Sequence, residues 1–140
     1  MADTLKRRPV YRNLHLSQLA EYRLPLAGWV SILHRISGAL LAVLLPFAIW
    51  MLDTSLTSEV SFGQFTSLFA HGVGGVPGWF FKLVALALIW AYLQHFFAGL
   101  RHLWMDMTNS VDLEFGRLSA IVVLGLTVIV AVPLALKLFF

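Results

Sequence analysis

Two short segments place reactive side chains where the surrounding chain is apolar. The first, SILHRISG over residues 31–38, brings a hydroxyl, an imidazole and a guanidinium (Ser31, His34 and Arg35) to the start of a hydrophobic run. The second, HFFAGLRHLWMD over residues 95–106, closes another such run with His95, Arg101, His102 and Asp106. An arginine at the centre of a membrane helix costs roughly 2.5–3.5 kcal/mol even on an insertion scale. Ionisable groups in such runs therefore point to a function or to the membrane interface. At the helical period, Ser31, Arg35, Gly38 and Ala42 share one stripe, and Tyr92, His95, Gly99, His102 and Asp106 share another. Each stripe joins polar groups to small residues, which let a helix or a flat ligand approach the backbone.

Depth separates the roles these residues can take. His95 lies about eleven residues from Asp106, roughly 16 Å at 1.5 Å per residue, close to a bilayer midplane. His34 lies roughly 9 Å deep by the same count, while Arg101 and His102 fall at the interface. A neutral imidazole at the midplane can ligate haem iron, with Gly99 leaving room for a porphyrin edge and Arg35, Arg101 and His34 on the side of the propionates. It can equally hydrogen-bond a neighbouring helix. Ser31 and Arg35 can polarise the carbonyl of a lipid-soluble quinone, or act as a helix–helix hydrogen bond and an interfacial anchor. The residue pattern leaves both alternatives open.

The elements that must hold these residues are membrane helices. Of the 140 residues, 59% are hydrophobic and 12% charged, against about 25% charged in a soluble domain. Mean hydropathy is +0.82. A chain this short cannot bury that much apolar surface in a water-facing globule. Three apolar runs, about 28–52, 79–104 and 118–139, each exceed the ~20 residues needed to cross the hydrocarbon. The expected fold is an all-α integral membrane protein with three transmembrane helices. Residues 1–27 form an N-terminal segment and residues 28–140 the membrane domain. The first loop is rich in Ser, Thr and Gly, with room for a short interfacial helix over 62–69, and the second, DMTNSVDLEFGR, is a polar turn. Pro46 and Pro133 fall inside helices, where membrane proteins tolerate them.

Charge sets the orientation. Lys6, Arg7, Arg8, Arg12 and Arg23 precede the first helix, no Lys or Arg lies in the first loop, and Arg101 and Arg117 flank the second. The positive-inside rule puts the N-terminus and second loop in the cytoplasm and the C-terminus on the outer side. Lys82 and Lys137 lie near the outer ends, where they can snorkel. The net charge of +3 thus speaks to topology rather than to nucleic acid. No apolar segment directly follows the basic start, so no cleavable signal peptide is expected. The absence of cysteine excludes disulfides, thiolate metal sites and covalently attached c-type haem.

Together, RPVYRNL at residues 8–14, SILHRISG and HFFAGLRHLWMD resemble the cytochrome b subunits of succinate dehydrogenase, respiratory complex II. Order, spacing and hydropathy agree over residues 8–106, and the third helix fits by hydropathy alone. The resemblance implies that His95 is an axial ligand of haem b shared with a partner membrane subunit, which supplies the other ligand. The chain is then half of a heterodimeric transmembrane bundle in a bacterial inner membrane. It implies that Ser31 and Arg35 line a ubiquinone pocket, and that His34 and Arg101 stand near the haem propionates. Gly99, His102 and Asp106 belong to the matched segment with structural or proton-path roles, whereas His15 and His71 match nothing. The implied partners are a flavoprotein that oxidises succinate, an iron–sulfur subunit that passes electrons toward the membrane, and the lipid bilayer. The anchor of a quinol–fumarate reductase is the nearest alternative. A haem-free structural anchor is another, and a small transporter a third, for which three helices and one buried histidine are thin provision.

Overall fold

Pro25 and Pro77 stand immediately before the first residues of two long helices, both in extended backbone (φ −65° and −71°). The computed structural model describes Ser17 and residues 23–110 and 112–140. Lys6, Arg7, Arg8, Arg12, His15 and the RPVYRNL segment lie outside the described residues. Among the described residues four helices follow one another: α1 (Leu26–Leu56), α2 (Glu59–Ala70), α3 (Gly78–Thr108) and α4 (Leu113–Phe139). Of these, α1, α3 and α4 are long and apolar enough to cross a membrane. Each runs past its apolar segment, because hydropathy marks the hydrocarbon thickness whereas a helix continues into the interface until a cap or turn ends it.

Local chemistry sets the boundaries. The short helix expected over 62–69 begins earlier, at Glu59, because Ser58 and Ser61 form a reciprocal capping box. Ser61 N–H donates to Ser58 Oγ (3.1 Å) and Ser58 N–H donates to Ser61 Oγ (2.9 Å). A tight turn then reverses the chain, with Gly72 at φ +83°, where a side chain would run into the carbonyl oxygen of Val76. Asn109, in the left-handed region at φ 50°, ends α3. Asp112 caps α4 by accepting from Phe115 N–H at 2.6 Å.

The long helices form an up-down-up bundle with α3 in the middle, packed against both α1 and α4. Small residues make the contacts: Ala85, Ala91 and Ala98 of α3 and Gly116 and Ala120 of α4 are buried. Val30, Ala98, Ala120 and Val123 form the centre of the core, with Phe97 and Leu124 against it. Most large apolar side chains face outward, including Ile36, Val43, Leu103, Val128 and Ile129. At the end opposite the loop between α3 and α4, Lys82 Nζ lies 5.7 Å from the centroid of the Phe139 ring.

Candidate functional site

Glycines create the site. On α1, a Cβ at Gly38 would stand 2.8 Å from Cε1 of His95. On α3, a Cβ at Gly99 would stand 3.7 Å from Nε2 of His34. The two antiparallel helices therefore present a gap opposite each other's histidine, and both imidazoles turn into the seam. Their rings stack, with centroids 4.1 Å apart and planes 15° apart. His102, two turns below His95, joins them from the other side of His34, with ring centroids 5.1 Å apart. A continuous row His95–His34–His102 results, running along the helix seam toward the end that carries Asp106. Among the described residues no group of His, Cys, Asp or Glu is arranged to hold a bare metal ion.

The depths counted from the sequence differ by roughly 7 Å, yet the His34 and His95 rings are in contact. The backbone offset of one helical turn is present, since Gly38 faces His95 while His34 faces Gly99. Side-chain reach across two glycines closes it. Gly99 lies opposite His34, where an added Cβ would meet Nε2 at an ordinary 3.7 Å.

His95 is held at one nitrogen. Its Nδ1 lies 3.1 Å from the carbonyl oxygen of His34 and 3.4 Å from Ser37 Oγ. A carbonyl only accepts, so Nδ1 carries the hydrogen and Nε2 keeps its lone pair. Nε2 makes no hydrogen bond among the described residues. Ser37 is fully buried, and its hydroxyl donates to the same His34 carbonyl at 2.9 Å. The sequence reading passed over Ser37. Its signal was present, a small hydroxyl residue three positions after His34, but only the fold turns it toward His95.

The other expected residues divide between two faces. Ser31 is half-buried and Arg35 exposed, one turn apart on α1, with Arg35 next in the chain to His34. Asp106 is exposed and His102 half-buried at the end of α3. Arg101 is not brought to the histidines. It is buried at 8% exposure, with Nε donating to Ser119 Oγ (2.9 Å) and Nη2 to the Gly116 carbonyl (3.4 Å), both on α4. On the face of α3 that Arg101 occupies, α4 offers the Ser119 hydroxyl and the Gly116 carbonyl. A second polar tie lies deeper, where Thr127 Oγ1 donates to Gln94 Oε1 at 3.2 Å. The buried stripe of α4, Gly116, Ala120, Val123 and Thr127, has helical spacing and was there to be found in a helix first matched by hydropathy alone.

Comparison with known proteins bears on this geometry. The family model described as "Succinate dehydrogenase/Fumarate reductase transmembrane subunit" matches residues 4–134. The chain is 36% identical over 114 residues to the succinate dehydrogenase cytochrome b556 subunit of Coxiella burnetii, covering 81% of this chain and 82% of that one. It is 34% identical over 108 residues to the cytochrome b560 subunit of Reclinomonas americana, covering 77% and 74%. It is 32% identical over 141 residues to the b556 subunit of Paracoccus denitrificans, covering 100% and 98%. With nearly its whole length matched, and with the paired segments 31–38 and 95–106 meeting across one helix seam, the chain belongs to the succinate dehydrogenase/fumarate reductase transmembrane subunit family.

Proposed function

We propose that this chain is the cytochrome b membrane-anchor subunit of a succinate dehydrogenase, ligating haem b through His95 and contributing Ser31 and Arg35 to a ubiquinone-reduction site. The observation that carries the haem assignment is the pinned imidazole: Nδ1–H is engaged by the His34 carbonyl, and Nε2 is left as the bare nitrogen a metal requires. The donor set fits a haem rather than a free ion, because one histidine nitrogen would suffice to hold it from this chain and no multidentate cluster accompanies it among the described residues. Haem b, when bound, supplies one-electron redox chemistry. The chain's own residues bind and orient it. His95 would hold the haem through Nε2, while the His34 ring stacks beside it and its carbonyl orients it. The second axial ligand is assigned to a second membrane-anchor subunit.

The His95–His34–His102 row leads toward the end of the bundle where Arg23 and Arg117 start helices α1 and α4. By the positive-inside rule this end faces the cytoplasm, and the C-terminus lies on the periplasmic side of the inner membrane. The flavoprotein and iron–sulfur subunits then dock at this end, and ubiquinone enters beside α1. Arg35 holds a permanent positive charge toward a quinone carbonyl, and Ser31 offers a hydroxyl one turn away. Arg35, with the His34 imidazole beside it, is placed to meet the haem propionates, while Arg101 is tied to α4. The family description also covers fumarate reductases. The same groups serve either direction, which the potentials of the partners decide, and the quinone of the native membrane distinguishes the two.

The test uses the intact complex. Ser31→Ala and Arg35→Ala should each impair succinate-to-quinone turnover per flavin at least tenfold. Succinate oxidation by a soluble dye and haem content should stay normal. Arg35→Lys should not rescue fully, because an ammonium lacks the planar fork. Normal quinone turnover in the assembled fraction, with haem or assembly lowered instead, would reject the quinone role.

A further inference from the structure

We propose that Ser37 is a positioning residue for His95, holding its Nδ1–H jointly with the His34 carbonyl so that Nε2 points outward as an electron-rich metal ligand. The inference rests on the assignment of His95 as haem ligand.

Three observations lead to it. Ser37 is fully buried, so its hydroxyl has no water to bond. Its hydrogen is already given to the His34 carbonyl at 2.9 Å, which leaves its lone pairs as its remaining capacity. Those lone pairs face His95 Nδ1 at 3.4 Å, a partner 58 positions away on another helix. The common behaviour of a serine inside a helix is to back-bond a carbonyl three or four residues earlier and do nothing more. Here that back-bond lands on the same oxygen that accepts from His95 Nδ1–H. Serine, carbonyl and imidazole form one closed set of hydrogen bonds. Gly38, the next residue, admits the imidazole edge into that set. An acceptor on the distal nitrogen raises the basicity of an imidazole ligand and fixes its tautomer and ring plane. A more basic axial ligand stabilises the oxidised iron and lowers the midpoint potential.

The experiment compares the purified intact complex with Ser37→Ala, Ser37→Cys and Ser37→Thr variants, reading haem per flavin, haem midpoint potential and the low-spin ferric resonance. Ser37→Ala should keep its haem but show a raised midpoint potential and an altered resonance. Ser37→Cys, whose sulfur is a weaker acceptor of nearly the same size, should shift the potential in the same direction by less. Ser37→Thr, which restores the hydroxyl, should return the potential to that of the native complex. If Ser37→Ala disturbs assembly, the cysteine variant carries the comparison. An unmoved potential and resonance in the haem that the alanine and cysteine variants retain would overturn the proposal and leave Ser37 a back-bonding core residue. His95→Ala tests the underlying assignment separately. Loss of the b-type spectrum there, with no shift in the Ser37 variants, rejects the positioning role alone, whereas a native spectrum in His95→Ala rejects the ligand itself.

Discussion

Substituting Gly38 by alanine probes the seam between α1 and α3 with one methyl group. The added Cβ would lie 2.8 Å from His95 Cε1 and 3.1 Å from Nδ1. Carbon atoms at rest stay about 3.5–4.0 Å apart, so the ring must withdraw by roughly 0.7 Å or more. It cannot do so freely. Nδ1 is bonded to the His34 carbonyl at 3.1 Å, and the His34 ring is stacked against it at 4.1 Å. A retreat of that size takes the hydrogen bond beyond the ~3.2 Å limit of normal geometry, a loss of about 1 kcal/mol. Overpacking adds about 1–3 kcal/mol. The combined effect on a ligand set centred on His95 is on the order of a hundredfold in haem affinity. Haem-to-flavin ratio in the assembled complex, followed by haem titration into the depleted form, measures it. Gly99→Ala is the internal control, since its Cβ meets His34 Nε2 at an ordinary 3.7 Å and should leave haem content unchanged. Full haem content with a native spectrum in Gly38→Ala, or equal losses in both variants, would refute the packing argument.

Three further predictions concern single groups. His34→Phe keeps a ring against His95 and the backbone carbonyl that pins Nδ1, so the b-type spectrum should persist; a loss as complete as in His95→Ala would make His34 a ligand. Arg101→Leu removes the tie to Ser119 and should lower stability by about 1.5–3 kcal/mol, read as a reduced Tm in detergent, with the haem potential unmoved; a shifted potential would return the guanidinium to the haem side. Asn109→Ala puts a residue without asparagine's tolerance of the left-handed region at φ 50° and should destabilise the α3–α4 connection by about 1 kcal/mol, while Asn109→Gly should be neutral or stabilising in the same thermal assay.

The three membrane helices were legible in the sequence because crossing a bilayer is a local, one-dimensional requirement: about 20 apolar residues in a row, with cations at one end. His95 stood out for the same reason, being ionisable at a depth where few ionisable groups are tolerated. The partners of these residues were not legible. That Gly38 faces His95 and Gly99 faces His34 depends on the register of two antiparallel helices, and register is a property of the packed pair. Counting residues from a helix end gave the backbone offset of His34 correctly yet separated two rings that touch, because side-chain reach into a neighbour's glycine gap has no one-dimensional trace.

Arg101 and Ser37 show the same division from two sides. Arg101 sits next to His102 in the chain. Adjacent helical residues point about 100° apart, and α4 supplied Ser119 and Gly116 on the face Arg101 occupies. Ser37 looked like an ordinary small residue between Ile36 and Gly38, and became a neighbour of His95 when α3 packed against α1. The sequence by itself determined the solvent of this protein, its helices and the residue types available for chemistry, since these follow from local composition and period. Which imidazole nitrogen of His95 meets the His34 carbonyl was decided by tertiary packing, because hydrogen bonds act over about 3 Å between atoms that lie 58 or 61 positions apart in the chain.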